Sequence, residues 1–261
     1  MRIAVVQMRP AFGDVEGNAR RAVSMIESER ADLYVLPELA LSGYLFESKE
    51  EATSLAQEPS DPVFDEISEA GRSAGATVVV GFAEKAGEGL YNSAILLAPD
   101  GARFVYRKVQ LFAGEKDIFE PGDEPPRVIE VEGVRLGMMI CFDWIFPEVA
   151  RTLALGGAQI LCHSANLVLP YCQDAMVTRC IENRVFAATA NRVGGEARAG
   201  QELTFTGMSE IVAPDGEVVV RADVESEGVL VAGVDPGRAD DKQVTPRNDL
   251  FSDRRPEIYR L

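Results

Sequence analysis

Short hydrophobic runs alternate with amphipathic stretches through the first third of the chain. The hydrophobic runs lie at residues 2–8, 33–36 and 77–82. Between them, residues 16–30 and 61–74 mix apolar and charged positions in the manner of surface helices. Strands and helices are therefore expected to follow one another in turn, and this order predicts an α/β fold.

Two later segments, residues 94–106 and 209–220, resemble each other. Each consists of an apolar run, a Pro-Asp-Gly sequence and a second apolar run. Because Pro-Asp-Gly favours a tight turn, both segments are predicted to be β-hairpins. Hairpins combined with β-α units predict mixed sheets with helices on their outer faces, and two such sheets would bury their apolar strands by packing together. The expected fold is a four-layer α-β-β-α sandwich of two mixed sheets.

The length of 261 residues suits one α/β domain, and no Gly/Ser-rich or Pro-rich linker divides the chain. Residues 1–261 are therefore predicted to form a single domain. Residues 114–127 are acidic and contain prolines, and a connection of this length favours a functional loop. The last segment, residues 246–261, is charged but includes Phe251 and Tyr259. Such a tail either frays or docks on another surface.

The charge and cysteine content limit the possible partners. Asp and Glu outnumber Lys and Arg by 42 to 26, and the resulting net charge of −16 disfavours binding to nucleic acid or to anionic membranes. No apolar window reaches the roughly 18 residues of a membrane span. The N-terminus resembles a strand rather than a signal peptide, and the cysteines do not form a disulfide framework. A cytoplasmic protein is expected. The cysteines are Cys141, Cys162, Cys172 and Cys180.

The chain contains a single histidine, His163, and this restricts the chemistry available. No spacing of Cys, His and carboxylate residues resembles a metal site, and phosphate-binding glycine loops are absent, so neither a metal nor a cofactor is expected. A Ser-His-Asp or Cys-His mechanism would have to use His163 itself. Because His163 lies in an apolar, strand-like run, it is more often a hydrogen-bonded core group than a base.

Three residues that could supply a nucleophile, a base and a cation lie at predicted strand ends. Cys141 follows the apolar run 134–140 and precedes Pro147, which is typical of the first position of a helix. Backbone N–H groups at such an elbow can stabilise a thiolate or an oxyanion. Glu38 and Lys108 end two other apolar runs. A cysteine after an apolar run is also often simply buried, so convergence of the three groups decides between the two interpretations.

Three blocks around these residues resemble the nitrilase superfamily of carbon–nitrogen hydrolases, whose catalytic set is Glu, Lys and Cys. The blocks are residues 36–44, 106–112 and 141–148. They occur in the family's order, with 70 residues from Glu38 to Lys108 and 33 from Lys108 to Cys141. The resemblance extends over almost the whole chain, and three blocks in order are more specific than any one alone.

The resemblance implies further site residues. Glu115 matches the family's second active-site glutamate, although a loop carboxylate paired with a surface lysine is the alternative. Asn166 resembles a pocket-lining position, Trp144 is a candidate wall of the acyl pocket, and the N–H of Phe142 would bind the oxyanion. Gln110 is a departure, because many members have histidine there.

The resemblance also implies a function. Cys141 would attack an amide with Glu38 as base and Lys108 as oxyanion partner, and the products of the thioester pathway would be a carboxylic acid and ammonia. A pocket walled by bulky rings such as that of Trp144 favours small aliphatic acyl groups, so a small aliphatic amide is the expected substrate. A nitrilase acting on small nitriles is the first alternative. A catalytically idle interaction module is the second, and a redox-sensing thiol ranks last. A homodimer is implied as well, built by helix packing and extended by residues 246–261.

Overall fold

Two six-stranded sheets lie at the centre of the molecule. The computed structural model describes residues 1–198 and 200–259. The strands of the first sheet are β1 (Arg2–Gln7), β2 (Leu33–Val35), β3 (Thr77–Ala86), β4 (Gly89–Leu97), β5 (Arg103–Arg107) and β14 (Gly228–Gly233). Those of the second are β6 (Val128–Val131), β7 (Val134–Ile140), β8 (Ile160–Ala165), β9 (Phe186–Asn191), β12 (Glu210–Val212) and β13 (Val218–Arg221). Two small ribbons pair β10 (Gly195–Arg198) with β11 (Gln201–Thr204), and β15 (Gln243–Thr245) with β16 (Asn248–Asp249).

Both sheets are mixed and have the same plan. The first has the order β14-β1-β2-β3-β4-β5, in which β1, β2 and β3 are parallel and the remaining pairs are antiparallel. The second has the order β13-β12-β9-β8-β7-β6, in which β7, β8 and β9 are parallel. The two predicted hairpins correspond to β4–β5 and β12–β13.

Side chains alternate between the two faces of each strand, and the helices pack on one of these faces. The α-helices are α1 (Val15–Ser28), α2 (Lys49–Ser54), α3 (Val63–Ala74), α4 (Glu115–Ile118), α5 (Pro147–Leu155) and α6 (Cys172–Asn183). In β1, Ile3 and Val5 belong to the apolar core shared with the second sheet, whereas Ala4 and Val6 pack with residues of α1 and α3. Helices α5 and α6 cover the outer face of the second sheet. The predicted α-β-β-α sandwich is confirmed.

Short 3₁₀ turns complete the described part of the chain, at Cys141–Ile145, Pro236–Ala239 and Pro256–Ile258. Within residues 1–198 and 200–259, no helix is long and apolar enough to cross a membrane. Near the C-terminus, Phe251 packs partly buried against the core, with Arg151 and Lys242 over its ring. Ile258 and Tyr259 remain exposed. The final two residues of the predicted tail lie outside the described residues.

Candidate active site

Glu38, Lys108 and Cys141 all lie just beyond the C-terminal ends of strands. Glu38 follows β2, Lys108 directly follows β5, and Cys141 directly follows β7. All three side chains are buried, with relative exposures of 0%, 0% and 5%. Burial of two charged residue types at strand ends requires that they find partners inside the protein.

The ammonium group of Lys108 lies between two carboxylates. Its Nζ donates to Glu38 Oε1 at 2.6 Å and to both oxygens of Glu115 at 2.8 Å. Burial by itself would lower the pKa of Lys108, but the charges of Glu115 and Glu38 raise it above its ordinary value. Lys108 is therefore a permanent cation at this position.

Glu38 has one occupied and one free carboxylate oxygen. Asn92 Nδ2 donates to Oε1 at 2.7 Å, at the same atom that Lys108 contacts. Oε2 is buried and accepts no hydrogen bond from any residue in the described ranges. Burial raises the pKa of Glu38, and the charge of Lys108 opposes that effect. A carboxylate with a free oxygen and a raised pKa is well suited to accept a proton.

Cys141 occupies a strained elbow between β7 and the 3₁₀ turn. Its φ of +39° lies in the left-handed region, which residues with a side chain rarely adopt. Burial, followed by the charge of Glu38, raises the pKa of the Cys141 thiol well above its ordinary value, and Lys108 only partly opposes the shift. The thiol is therefore protonated at neutral pH, and a base must remove its proton before it can attack.

Glu115 is a buried member of this cluster rather than a surface loop carboxylate. It is the first residue of α4, and its side chain is 4% exposed. Besides Lys108, its donors are the hydroxyl of Tyr44 at 2.7 Å and the N–H of Phe112 at 3.1 Å. Glu115 thus holds the ammonium of Lys108 in addition to Glu38.

A small cavity lies over Cys141. Its volume is about 10 Å³. The residues that line it include Cys141, Phe142, Trp144, Asn166 and Phe112. Asn166 also donates from Nδ2 to the backbone oxygen of Glu38 at 2.8 Å. The structure therefore brings the three residues predicted to bind substrate to one cavity beside Cys141.

A family comparison agrees with this arrangement. Residues 2–242 match the family model described as carbon-nitrogen hydrolase. The chain belongs to the carbon–nitrogen hydrolase family. Relatives include a nitrilase of Pyrococcus abyssi, 43% identical over 99% of each chain, and an (R)-stereoselective amidase of a Pseudomonas species, 35% identical over 85% of this chain and 81% of the relative.

A solved structure of a family member is similar over nearly the whole chain. It is a variant of the amidase from Nesterenkonia sp. AN1, 28% identical, with a TM-score of 0.81 and coverage of 98% of this chain and 94% of that chain. In that structure the acetamide moiety of fluoroacetamide is covalently attached to the active-site cysteine.

Two residues of this carbon–nitrogen hydrolase contact the acidic side chains but were not among the site residues predicted from the sequence, namely Asn92 and Tyr44. Asn92 could have been found from the predicted hairpin, because pairing Ser93 with Arg107 places Asn92 opposite Lys108. Tyr44 was within the glutamate block, but nothing in the sequence indicates that its hydroxyl reaches Glu115.

Gln110, the departure from the family pattern, contributes through its backbone. Its N–H donates to Asp143 Oδ1 at 3.1 Å. A backbone donor is present whatever the side chain, apart from proline. This bond therefore does not depend on the exchange of histidine for glutamine.

Proposed function

We propose that this carbon–nitrogen hydrolase is an amidase that converts small aliphatic amides to a carboxylic acid and ammonia through a thioester on Cys141. The observation that carries the proposal is the buried Lys108 ammonium held by Glu38 and Glu115, all three of whose charges act on the buried thiol of Cys141 at its strained elbow. The covalent acetamide on the cysteine of the Nesterenkonia amidase supports the same role for Cys141.

The first step is attack by sulfur. The thiol of Cys141 has a raised pKa and must lose its proton as the C–S bond forms. We assign Glu38 Oε2 as the acceptor, because that oxygen has no other hydrogen-bond partner among the described residues. Proton transfer during the attack avoids a free thiolate next to two carboxylates.

As sulfur attacks, the carbonyl double bond of the substrate opens and negative charge develops on the substrate oxygen. Lys108 Nζ and the backbone N–H of Phe142 are the donors we assign to that oxyanion. A fixed cation in a buried site stabilises developing charge more strongly than water does, because it needs no reorganisation. Glu115 and Tyr44 keep the ammonium in place while its contact with Glu38 changes.

The tetrahedral intermediate then breaks its C–N bond. Glu38 returns the proton to the departing nitrogen, ammonia leaves, and the acyl group remains on sulfur as a thioester. Glu38 next takes a proton from water, whose oxygen attacks the thioester carbonyl. The C–S bond breaks, the carboxylic acid forms and the proton returns to the Cys141 thiol.

The cavity over Cys141 favours a small acyl group. Its free volume is about 10 Å³, and the rings of Phe112, Phe142 and Trp144 line it. This volume is about that of one water, so any acyl group must displace the rings to some extent, and a short aliphatic chain displaces them less than a bulky one.

The test is hydrolysis by the parent protein and two variants. Ammonia release from short aliphatic amides should fall to background in Cys141→Ala, and intact-mass spectrometry of the parent should detect an acyl adduct on Cys141. Cys162→Ala removes another buried thiol, whose pKa is raised by burial alone and not by the charges that act on Cys141, and should retain hydrolysis. Full activity in Cys141→Ala would refute the mechanism, and a parent without activity on any amide or nitrile would favour the idle interaction module.

A nitrilase is the second candidate, favoured by the 43% identity to the nitrilase of Pyrococcus abyssi. The same sulfur would add to a nitrile carbon and form a thioimidate, which water converts to the thioester and ammonia. Amides and nitriles with the same aliphatic group should be assayed in parallel. Faster release of ammonia from the nitriles would replace the amidase assignment.

We also propose that residues 1–261 form one domain that assembles as a cytoplasmic homodimer. Leu155 of α5 and Ile181 of α6 are 43% and 49% exposed, which leaves an apolar face on the outer helices. We place residues 246–261 at the edge of that interface. Light scattering of the full chain and of a chain ending at Thr245 tests this proposal. A dimer that persists in the shortened chain would exclude a role for residues 246–261 in the interface. The four free thiols support a reducing compartment.

A further inference from the structure

His163, the single histidine of the chain, contacts the backbone of Cys141. It is a fully buried residue of β8. Its Nε2 lies 3.0 Å from the carbonyl oxygen of Cys141, and its Nδ1 lies 3.1 Å from Thr189 Oγ1 in the neighbouring strand β9. The histidine therefore connects the central strands of the second sheet to the elbow.

The two contacts determine the tautomer of the ring. Burial lowers the pKa of His163 to about 4, so the imidazole is neutral at neutral pH and has one N–H. A carbonyl oxygen can only accept, and the proton must therefore be on Nε2. Nδ1 then accepts from the hydroxyl of Thr189, which holds the ring in this tautomer.

The Cys141 carbonyl and the Phe142 N–H belong to the same peptide unit. A trans peptide is planar, so its C=O and N–H point in opposite directions and rotate together. A bond that fixes the Cys141 oxygen on one side also fixes the direction of the Phe142 hydrogen on the other. Hydrogen bonding to the oxygen polarises the amide as well, and this makes its N–H a stronger donor.

We propose that His163 is a positioning residue that orients and polarises the Phe142 N–H for the oxyanion. The inference rests on the proposed function, because it assumes that the oxyanion forms beside Cys141. The strain at Cys141 explains why such support is needed. A φ of +39° is unfavourable for cysteine, and the peptide that follows it would relax without a partner on its oxygen.

If His163 only supported the fold, its replacement would slow every reaction of Cys141 to the same extent. Two reactions of Cys141 therefore distinguish a structural role from a positioning role. Amide hydrolysis builds an oxyanion. Thiolation by methyl methanethiosulfonate does not, because the sulfur of Cys141 displaces methanesulfinate from a sulfur atom. The rate of thiolation at Cys141, followed by intact mass, therefore reports the nucleophile without the oxyanion donor.

The variants are His163→Met, which fills the site without an N–H donor, and His163→Gln, which keeps a donor nitrogen at similar reach. Loss of an oxyanion donor outright costs about 10²–10³ in rate, so removal of its positioning partner should cost roughly 10- to 100-fold in kcat/KM. His163→Met should show this loss with thiolation within about threefold of the parent. His163→Gln should recover most of the activity. Thr189→Val should lose activity in the same selective way, and Thr189→Ser should not.

A measurement on the parent protein is independent of how the variants fold. With one histidine in the chain, the ¹⁵N spectrum has one imidazole, and its shifts should report the Nε2–H tautomer. An Nδ1–H tautomer or a cation at neutral pH would overturn the inference. The inference would also be overturned if His163→Met hydrolysed amides at the parent rate, or if it lost hydrolysis and thiolation rates to the same extent. If Cys141→Ala keeps its activity, the proposed function fails instead.

Discussion

The hydroxyl of Tyr106 donates a 2.7 Å hydrogen bond to Asp143, and this contact joins the strand that leads into Lys108 to the turn that carries Cys141. Asp143 also accepts from the N–H groups of Gln110 at 3.1 Å and Ile140 at 2.9 Å. One buried carboxylate therefore holds the segments on both sides, each within two residues of an assigned catalytic group.

Replacement of Asp143 by Asn should lower activity. The amide has one acceptor oxygen instead of two, so at least one of the three donors loses its partner. A misplacement of about 1 Å can cost about 10²-fold, and we expect kcat/KM for amide hydrolysis to fall roughly 10- to 100-fold. Asp117→Asn, an exposed carboxylate on α4, is the control and should stay within about twofold. Equal activities of the two variants would exclude a positioning role for Asp143.

The same substitution should change how stability depends on pH. Burial raises the pKa of Asp143 from its ordinary value of 3.8 to about 6. The folded protein therefore binds this proton more tightly than the unfolded chain, and the stabilisation is complete below about pH 3.8 and lost as the pH rises through about 6. The free energy of unfolding of Asp143→Asn minus that of the parent should rise by about 3 kcal/mol over this interval and then level off. Urea unfolding at several pH values measures it, and a flat difference would contradict the raised pKa.

Gly81 should be intolerant of any side chain because it packs against the backbone that positions Glu38. A Cβ at Gly81 would lie 2.5 Å from the Cα of Glu38 and 2.5 Å from the carbonyl oxygen of Pro37. We expect Gly81→Ala to destabilise the fold by about 1–3 kcal/mol and to reduce hydrolysis at least tenfold, since the backbone at Glu38 must move. Gly228→Ala adds a Cβ with nothing within 4 Å and should leave activity unchanged. Parent-like kinetics in Gly81→Ala would show that Glu38 tolerates the shift.

The contribution of Tyr44 to catalytic activity should come from its hydroxyl group alone. Burial raises the pKa of Tyr44 well above its ordinary value, so the hydroxyl remains a donor to Glu115 across the working range of pH. Tyr44→Phe removes this donor and should cost about 1 kcal/mol, roughly fivefold in kcat. Tyr91→Phe removes a longer, exposed hydroxyl contact to Glu120 and should have no effect. Steady-state ammonia release compares the two, and an unaltered kcat in Tyr44→Phe would remove Tyr44 from the site.

The features of the fold that depend on a local sequence pattern are the ones that the sequence predicts. Strand runs, the two Pro-Asp-Gly hairpins and Pro147 at the start of α5 are local signals, and each appears where it is expected. The three blocks around Glu38, Lys108 and Cys141 were identified because those residues occur in contiguous motifs at strand ends.

The buried polar network is less accessible to sequence reasoning because its partners are far apart in the chain. Asp143 meets Tyr106 across 37 residues, and Tyr44 meets Glu115 across 71. His163 was interpreted as a satisfied core group, and its hydrogen bonds fit that description, yet its position next to Cys141 follows only from the parallel pairing of β7 and β8. Tertiary pairing, not local pattern, therefore assigns these residues to the site.

A buried ion pair outside the catalytic cluster should control both stability and activity. Arg192 Nη1 and Glu196 Oε1 are 2.5 Å apart, with side-chain exposures of 1% and 6%. Glu196 also accepts from the backbone N–H groups of Tyr44 and Leu45, at 3.1 and 2.7 Å. The pair therefore anchors the turn from which Tyr44 reaches Glu115.

Breaking this pair should be costly because the remaining charge stays buried. Arg192→Met should lower the free energy of unfolding by about 3–5 kcal/mol, and the double variant with Glu196→Gln should recover part of the loss, since it removes the stranded carboxylate. Arg127→Ala breaks the exposed pair with Glu124 and should cost less than about 1 kcal/mol. Urea unfolding gives the energies, and ammonia release should fall in Arg192→Met even where the protein is fully folded, because Glu196, which holds the Tyr44 turn, loses the cation that fixes its own position. A folded Arg192→Met with parent kinetics would confine the pair to a role in stability.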